Sequence, residues 1–516
     1  MSPWREPCVL ELGSSGQRGI LVPAFEGGGG ADELPPGLRR EHPPELPELG
    51  QPQVLRHFTR LSQLSLGHNV ALDMTAATTT PKYPPVVNEL IARSPKLAEL
   101  HPEQPDETLQ GVLRLLWELG ECLKALSGMD ACALSGFGGA HAIFGGVLVI
   151  RGYHASRGDG HRDEIISELA SHPTNPSTAA AAGFRVVEVA PGPRGYAEVE
   201  AVKAAVSERT AGLLLNNPED TGVFNPEIDR IAGVVHEAGG LCGFDQANAN
   251  ATLGISRARD CGFDLAHFNL HKTFGAPISL YGPAVGAICV TDELARFLPA
   301  PVVVRDGDAY RREEPADSVG RIAGFLGNVP SLVKAYAWIR AIGPERIADV
   351  ARYAVLNNNY VHGRMTRIHG IATALPANEE RRLDVVRYSL EQLEAETGVG
   401  TEAVRDRITD FGLPGHWMSH HPVTTPEPFT IEPTESFSRR ELDEVVAVYE
   451  RVVAEARAEP ETVRTAPHEG PVARMRPDLV DPDAPPAATW NLLDTQRAAR
   501  SRGAQPWQGR PAEPAG

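Results

Sequence analysis

Between residues 146 and 290 the chain repeats one pattern: a short β-rich apolar run, a polar interval, then another run. The runs are GVLVI (146–150), FRVVEVA (184–190), AGLLLNN (211–217), GLCGFD (240–245), LAHFNL (265–270) and VGAICV (285–290). They are apolar almost throughout rather than at alternate positions, as a strand covered on both faces requires. Several intervals hold helix-like segments, such as EVEAVKAAVSER and NPEIDRIAGVVHEAGG. Strands alternating with helices in this way predict an α/β fold built on a mostly parallel sheet with helices on both faces.

The flanks divide the rest of the chain. Residues 1–53 contain EGGGGADELPPG and EHPPELPELGQP, so punctuated by Gly and Pro that they predict an extended N-terminal arm without a core. A large α/β domain is expected over 54–335. It opens with the helix DETLQGVLRLLWELGECLKALSG, with Asp106 as N-cap, Leu109, Val112, Leu113, Leu116, Leu119 and Leu123 on one face, and Gly128 as the stop. Residues 336–475 read as a smaller C-terminal α+β domain, and the Pro/Ala/Arg-rich 476–516 as a disordered tail. The 516-residue chain carries a formal charge of −18, which argues against nucleic acid or an acidic membrane as partner. Its six cysteines form no C-x-x-C pair, and no apolar stretch reaches membrane-spanning length, so a cytoplasmic protein is expected.

Ligands in open α/β sheets bind beyond the carboxyl ends of the strands. Asn217 ends one run, Asp245 ends another, His271 and Lys272 follow a third, and GFGGAH (136–141) is read as preceding a strand. Asp245 and Lys272 are 27 positions apart, one strand–connection–strand unit, so both can face one pocket. Taken singly, Lys272 reads as a surface or C-cap lysine, Asp245 as a turn residue, Gly138–Ala140 as a tight turn and His141 as a structural histidine. Together they meet the needs of pyridoxal 5'-phosphate. The lysine amine forms a Schiff base with the aldehyde, and the aspartate keeps the pyridine nitrogen protonated so that the ring accepts electrons. His141 offers a stacking surface, and Gly138, Gly139 and Ala140 offer backbone N–H groups to the phosphate.

These residues resemble a known family. FDLAHFNLHKTF is similar to the lysine segment of the P-protein of the glycine cleavage system, above all the lysine-bearing second subunit of its split bacterial form. LRHFTRLSQ (55–63), LAELHPEQPDETLQG (97–111), GGAH (138–141), SHPTNPSTA (171–179), FDQAN (244–248) and IEPTE (431–435) extend the likeness in order, over about residues 8–475. The resemblance implies a pyridoxal-phosphate enzyme of fold-type I, the aspartate aminotransferase-like class. It implies Lys272 as Schiff-base lysine, Asp245 as pyridine partner and His141 as ring-stacking residue. Gly138, Gly139 and Ala140 would form the phosphate loop. His172, Thr174 and Asn175 would form a polar loop near the cofactor, Asn217 the Asn-Pro turn, with Asn248 and His271 beside them. It further implies glycine decarboxylation with transfer of the aminomethyl group to a lipoyl arm on the H-protein, in an oligomer with a lysine-free subunit 1-like chain.

Two stretches depart from the family pattern. Ser-Cys-Thr-Met-Lys-Tyr-Asn-Pro becomes TTTPKYPP (78–85), retaining Lys82 and Tyr83, and Pro-His-Gly-Gly-Gly-Gly becomes PISLYG (277–282), with Ile278 in the histidine's place. Such changes narrow the approach to a ligand and remove a group that titrates near neutrality. They leave room for two rivals: a diverged pyridoxal-phosphate enzyme acting on another amino acid without lipoyl transfer, and a non-catalytic partner subunit. His416, His420 and His421 (HWMSHH) have the spacing of metal ligands, but no carboxylate or cysteine completes them, and they read as a partly exposed loop. An arm without a core gains order only by burial, so the N-terminal arm is expected to wrap a partner chain. Deleting residues 1–50 is expected to weaken assembly in analytical ultracentrifugation; unchanged assembly refutes the wrapping role.

Overall fold

The computed structural model describes residues 6–21, 23, 34–42, 46–64, 72–74, 80, 82–276, 283–374, 381–419 and 424–469. Several stretches singled out above therefore lie outside the described residues: Thr78, Thr79 and Pro81, the run PISLYG, His420 and His421, and the tail. The chain forms two compact units, residues 1–70 with 467–516 and residues 71–466. Within the first, a helix spans Gln51–Gln63 and the Gly50 N–H donates to Gln53 Oε1 at its start. Glu6 ties the preceding segment to this helix, meeting His57 Nδ1 at 3.0 Å and Arg60 Nη1 at 3.4 Å.

The second unit is organised by a seven-stranded sheet. Its strands are β1 (Ala131–Gly136), β2 (Glu164–Glu168), β3 (Arg185–Val189), β4 (Thr210–Asn216), β5 (Leu241–Gln246), β6 (Leu265–Asn269) and β7 (Gly286–Val290). They lie in the order β1-β7-β6-β5-β4-β2-β3. The pairs β2–β3, β2–β4, β4–β5 and β5–β6 are parallel, and β7 runs antiparallel to both β6 and β1. Strands β2, β4, β5, β6 and β7 are buried along their whole length, which explains the near-continuous apolar character of β4 to β7.

Five of the six predicted runs are strands. The sixth, GVLVI, is not: residues 146–150 lie inside a helix, Gly139–Ser156. Val147, Val149 and Ile150 are all fully buried in it. A helix covered on nearly every side has no polar face, so its sequence loses the 3.6-residue period and reads as a strand. GFGGAH accordingly follows a strand, β1, and opens a helix instead of preceding a strand. Asp106 is also placed differently from expectation. It heads a short 3₁₀ turn, Asp106–Thr108, and the long helix begins afterwards at Gln110. Its carboxylate accepts from the Arg312 backbone at 2.8 Å and from Arg312 Nε at 2.6 Å. Arg312 belongs to the hairpin of β8 (Val302–Asp306) and β9 (Ala309–Glu313).

Beyond the helix Val329–Ile342, a second core forms around a small antiparallel sheet of β10 (Ala372–Thr373), β11 (Val386–Ser389) and β12 (Pro428–Ile431). Val386, Tyr388, Phe429 and Ile431 join Val446, Tyr449 and Val453 of the helix Arg439–Ala458 in that core. That helix begins with a reciprocal cap between Ser438 and Glu441. His416 belongs to the same core rather than to a partly exposed loop: it is buried, with Nδ1 3.0 Å from Tyr449 Oη and Nε2 3.1 Å from the Thr401 carbonyl.

The turn after β4 is joined to the segment entering β11 through the backbone. The Leu383 N–H donates to the Gly222 carbonyl at 2.8 Å. Gly222 has φ +81°, and a Cβ there would lie 1.8 Å from the Val385 carbonyl oxygen. A side chain at this position meets both left-handed strain and a backbone collision. Gly222→Ala is expected to destabilise the protein by on the order of 3 kcal/mol in urea unfolding, whereas Gly233→Ala, where a Cβ meets nothing, is expected to be near neutral.

Candidate functional site

Parallel pairing aligns the carboxyl ends of the central strands. Asn216 lies opposite Asp245 across β4–β5, and Asp245 lies opposite His267 across β5–β6. The residues at and just past these ends, with those following β2, line one cavity: His172, Asn217, Glu219, Asp245, Asn248 and Lys272. This is where the strand order reverses, since β3 and β4 lie on opposite sides of β2. The small sheet closes the cavity. Arg387 and Thr430 are register partners on β11 and β12, and both face it together with Asp384 and Glu432.

Lys272 is 5 % exposed. Its backbone N–H donates to the Asn269 carbonyl at 3.0 Å, turning the chain sharply after β6. Thr273 then holds the turn: its Oγ1 accepts from the Ala249 N–H at 2.9 Å and donates to Asn248 Oδ1 at 3.2 Å. Lys82, buried beneath, donates from Nζ to the Thr273 carbonyl at 2.6 Å, pairs with Glu435 at 2.9 Å and sits 4.7 Å from the centre of the Trp338 ring. Burial lowers the Lys82 pKa, opposed by Glu435. The lysine retained within TTTPKYPP thus fixes the backbone that carries Lys272.

Acids surround the Lys272 amine. Glu432 Oε1 accepts from Thr80 at 3.0 Å, Asn248 at 2.5 Å and Asn250 at 3.1 Å, and Asn248 also donates to Asp384 at 3.0 Å. Burial, and then repulsion from Asp384, push the Glu432 carboxyl up to about 8, while the Lys272 charge pulls it back. Burial raises Asp384 to about 6, against the pull of Asn248 and Lys272. Asp245 accepts from the Ala247 N–H at 2.9 Å and lies 3.4 Å from His267 Nε2. Burial keeps that histidine's pKa low, although Asp245 opposes it.

Beside the cavity stands the glycine loop. Gly138 caps the 18-residue helix Gly139–Ser156 and adopts φ +151°. A Cβ on Gly139 would come within 2.6 Å of the side chain of Asn269, at the end of β6. The loop therefore packs against the strand that leads to Lys272, and its helix start presents free N–H groups. His141 accepts from the Phe137 N–H at 3.1 Å and stacks on the Phe137 ring at 5.9 Å. Asn175 is fully buried, and neither of its side-chain polar atoms has a hydrogen-bond partner among the described residues. The Asn269 Oδ1 atom is buried and orphaned likewise. Orphaned polar atoms, a cradle that a Cβ would fill, an amine and a carboxylate are a donor set that fits pyridoxal phosphate.

Of the residues predicted from sequence, Lys272, Asp245, Asn217, Asn248 and His172 share the cavity wall. Gly138, Gly139, Ala140, His141, Thr174, Asn175 and His271 stand outside that lining. His271 is buried with Nδ1 against the Val285 backbone, at 2.9 Å from the carbonyl and 3.1 Å from the N–H, and burial lowers its pKa to about 4. Glu219, Asp220, Asp384, Arg387, Thr430 and Glu432 were not foreseen. Glu432 lies within IEPTE and carried a signal; Asp384 and Arg387 sit in an ordinary strand entry and carried none.

A lysine after one central strand, an aspartate at the end of its parallel neighbour and a glycine-opened helix define the fold of class-V aminotransferases, whose family model matches residues 138–401. Residues 350–472 match the model of the glycine dehydrogenase C-terminal domain. A chain of Pyrococcus horikoshii named "Probable glycine dehydrogenase (decarboxylating) subunit 2" is 41% identical over 493 residues, 95% of this chain and 96% of that one. A chain of the same name from Methylococcus capsulatus is 41% identical over 448 residues, 86% and 90% of the two chains. Among solved structures, an inhibitor-bound glycine decarboxylase (P-protein) of the glycine cleavage system superposes with TM-score 0.69 at 19% identity, covering 81% of this chain and 93% of that one. The cysteine desulfurase CsdA from Escherichia coli does so with TM-score 0.56 at 14% identity, covering 77% and 98%. These two likenesses are of fold. By the sequence matches, the chain belongs to the glycine dehydrogenase (decarboxylating) subunit 2 family.

The acids around Lys272 make the stability of the cofactor-free protein depend on pH. A carboxyl whose folded pKa is raised binds its proton more tightly in the folded state, so its contribution is fullest near pH 4 and is lost as pH rises through the folded value. For Glu432 that window runs from the ordinary carboxylate range to about 8. Glu432→Gln is expected to gain stability relative to the parent between pH 5 and 8.5, by on the order of a few kcal/mol, read from urea unfolding at both pH values. An unchanged difference between the two pH values would contradict the raised pKa.

Proposed function

We propose that this chain is the lysine-bearing subunit of a pyridoxal-phosphate-dependent amino-acid decarboxylase, with glycine as the family's substrate. The observation that carries this reading is the buried amine of Lys272 and the carboxylate of Asp245 opening onto one cavity at the carboxyl ends of adjacent parallel strands. When bound, the cofactor supplies an electron sink for the pair left on the α-carbon as carbon dioxide departs. Asp245, fixed by the Ala247 N–H, holds a proton at the ring nitrogen. Lys272 would hold the cofactor through its amine, and its Nζ would hold or move a proton. Gly138, Gly139 and Ala140 would hold the phosphate at the helix start, and His141 would offer a stacking surface. His172, Thr174, Asn175, Asn217, Asn248 and His271 complete the polar surroundings. Arg387, the arginine on the cavity wall, orients the substrate carboxylate.

The relatives' designation as subunit 2 supports a complementary lysine-free chain as partner, and the family likeness supports a lipoyl carrier as acceptor of the aminomethyl group. A second reading, an amino acid other than glycine without lipoyl transfer, is favoured by acidic groups on the cavity wall for which glycine has no use. A non-catalytic subunit has no use for a buried lysine so carefully held.

Borohydride reduction of the cofactor-treated protein, followed by peptide mass spectrometry, is expected to place a pyridoxyl group on Lys272 and on no other lysine. A protein that stays colourless with the cofactor, or a label elsewhere, refutes the assignment. Exchange of carbon dioxide with carboxyl-labelled glycine is expected to fall by roughly 10²-fold or more in Asp245→Asn with cofactor retained. The exchange is expected to rise when a lipoyl carrier and a subunit 1 chain are added.

A further inference from the structure

The acids on the cavity wall are not alike. Glu432, 4 % exposed, uses its two oxygens differently. Oε1 takes all three donors that reach the carboxyl: Thr80 Oγ1, Asn248 Nδ2 and Asn250 Nδ2. Those donors come from a segment ahead of the large sheet and from the loop after β5, so the carboxyl is gripped from two sides. No donor among the described residues reaches Oε2, which is left as the free oxygen of a residue on the wall of the cavity that Lys272 also lines. One oxygen saturated by donors and the other without any suits the neutral acid, whose O–H needs an acceptor rather than a donor.

The groups that face Glu432 keep it in that form. Burial and then Asp384, at the entry to β11, raise it to about 8, against the pull of Lys272. Lys82, the other cation close by, is paired with Glu435. Asp384 itself is arranged otherwise: its Oδ2 accepts from Asn248, and its Oδ1 is buried without a partner. Of the two acids joined by Asn248, Glu432 is therefore the one with a proton and a free oxygen.

We propose that Glu432 is the proton relay of Lys272, its Oε2 exchanging a proton with the amine whenever Nζ gains or loses a bond to carbon. The inference rests on the pyridoxal-phosphate site proposed above and adds the group that makes its lysine react fast. When an amine condenses with an aldehyde, a C–N bond forms, the C–O bond breaks, and both amine protons end in the water released. A carboxyl beside Nζ gives one proton to the departing oxygen and recovers one from the nitrogen, so Glu432 ends as it began. Without that proton the oxygen would have to leave as hydroxide. Release of the lysine runs through the same carboxyl in reverse.

The test is uptake of pyridoxal phosphate by the cofactor-free protein, followed by stopped-flow visible absorption, beside an equilibrium titration of the same band. Glu432→Gln keeps an acceptor for Thr80, Asn248 and Asn250 and loses the acid. It is expected to slow uptake and release alike by roughly 10²-fold near neutral pH, with affinity changed less than about threefold, because a relay speeds both directions equally. The parent-to-variant rate ratio is expected to fall as pH rises above about 8, where the parent loses its acid form. Asp384→Asn removes the like charge that raises Glu432, so in that background the fall is expected at lower pH. Equal rates in parent and Glu432→Gln, a ratio independent of pH, or an affinity that drops in step with the uptake rate overturn the proposal and leave the cofactor site standing. A parent protein that takes up no cofactor loses the site as well.

Discussion

An ammonium group is strongly hydrated, and taking it out of water costs several kcal/mol unless opposite charge replaces the lost solvent. Everything around Lys272 answers to that cost. Asp384 and Glu432 face it across the cavity, yet both carboxyls are themselves buried and held toward their protonated forms, so each needs hydrogen-bond partners of its own. Thr80, Asn248 and Asn250 provide them, and Asn248 spans both acids. A network built to satisfy one lysine thereby draws together a segment before the large sheet, the turn after β5 and the entry and exit of the small sheet.

The second constraint is register. Parallel pairing puts Asn216, Asp245 and His267 side by side, so the loops that follow β4, β5 and β6 leave the sheet at one edge. Each contributes one kind of group: the Asn217–Asp220 turn its amides and acids, the β5 loop Asp245 and Asn248, and the β6 turn Lys272. Slippage by one residue would turn Asp245 to the other face of the sheet. Lys82 reinforces the arrangement from below by gripping the Thr273 carbonyl, with its charge shared between Glu435 and the Trp338 ring. The cavity floor is therefore rigid, while its chemical character is set by the loops and by the small sheet that covers them.

Much of this could be read from the chain. Four strands, β4 to β7, announced themselves because strands buried on both faces must be apolar throughout, while β3, with Arg185 and Glu188 exposed, showed through its valines; Lys272 and Asp245 stood out as polar residues at the ends of such runs. The same logic misled at GVLVI, where a helix buried on nearly all sides has the composition of a buried strand. Strands β1 and β2 passed unnoticed because ACALSG and EIISE are short and mixed, with small and charged residues whose burial comes from position rather than type. Asp106 looked like a cap and instead binds Arg312, more than two hundred residues later. His416 looked like part of a partly exposed loop and is packed against Phe429 and Tyr449.

Sequence alone determined the class of fold, the family likeness and the lysine–aspartate pair, because each rests on local pattern: period, composition and motif order along the chain. What it could not determine is the far wall of the cavity. Asp384, Arg387 and Glu432 reach Lys272 only because the small sheet packs across the carboxyl ends of the large one, and Glu168 meets Glu219 only because β2 and β4 are hydrogen-bonded neighbours. A carboxyl's charge and an arginine's need for an anion depend on what surrounds them in space, and those surroundings come from residues distant in the chain. Tertiary structure decided which charged groups meet across the cavity.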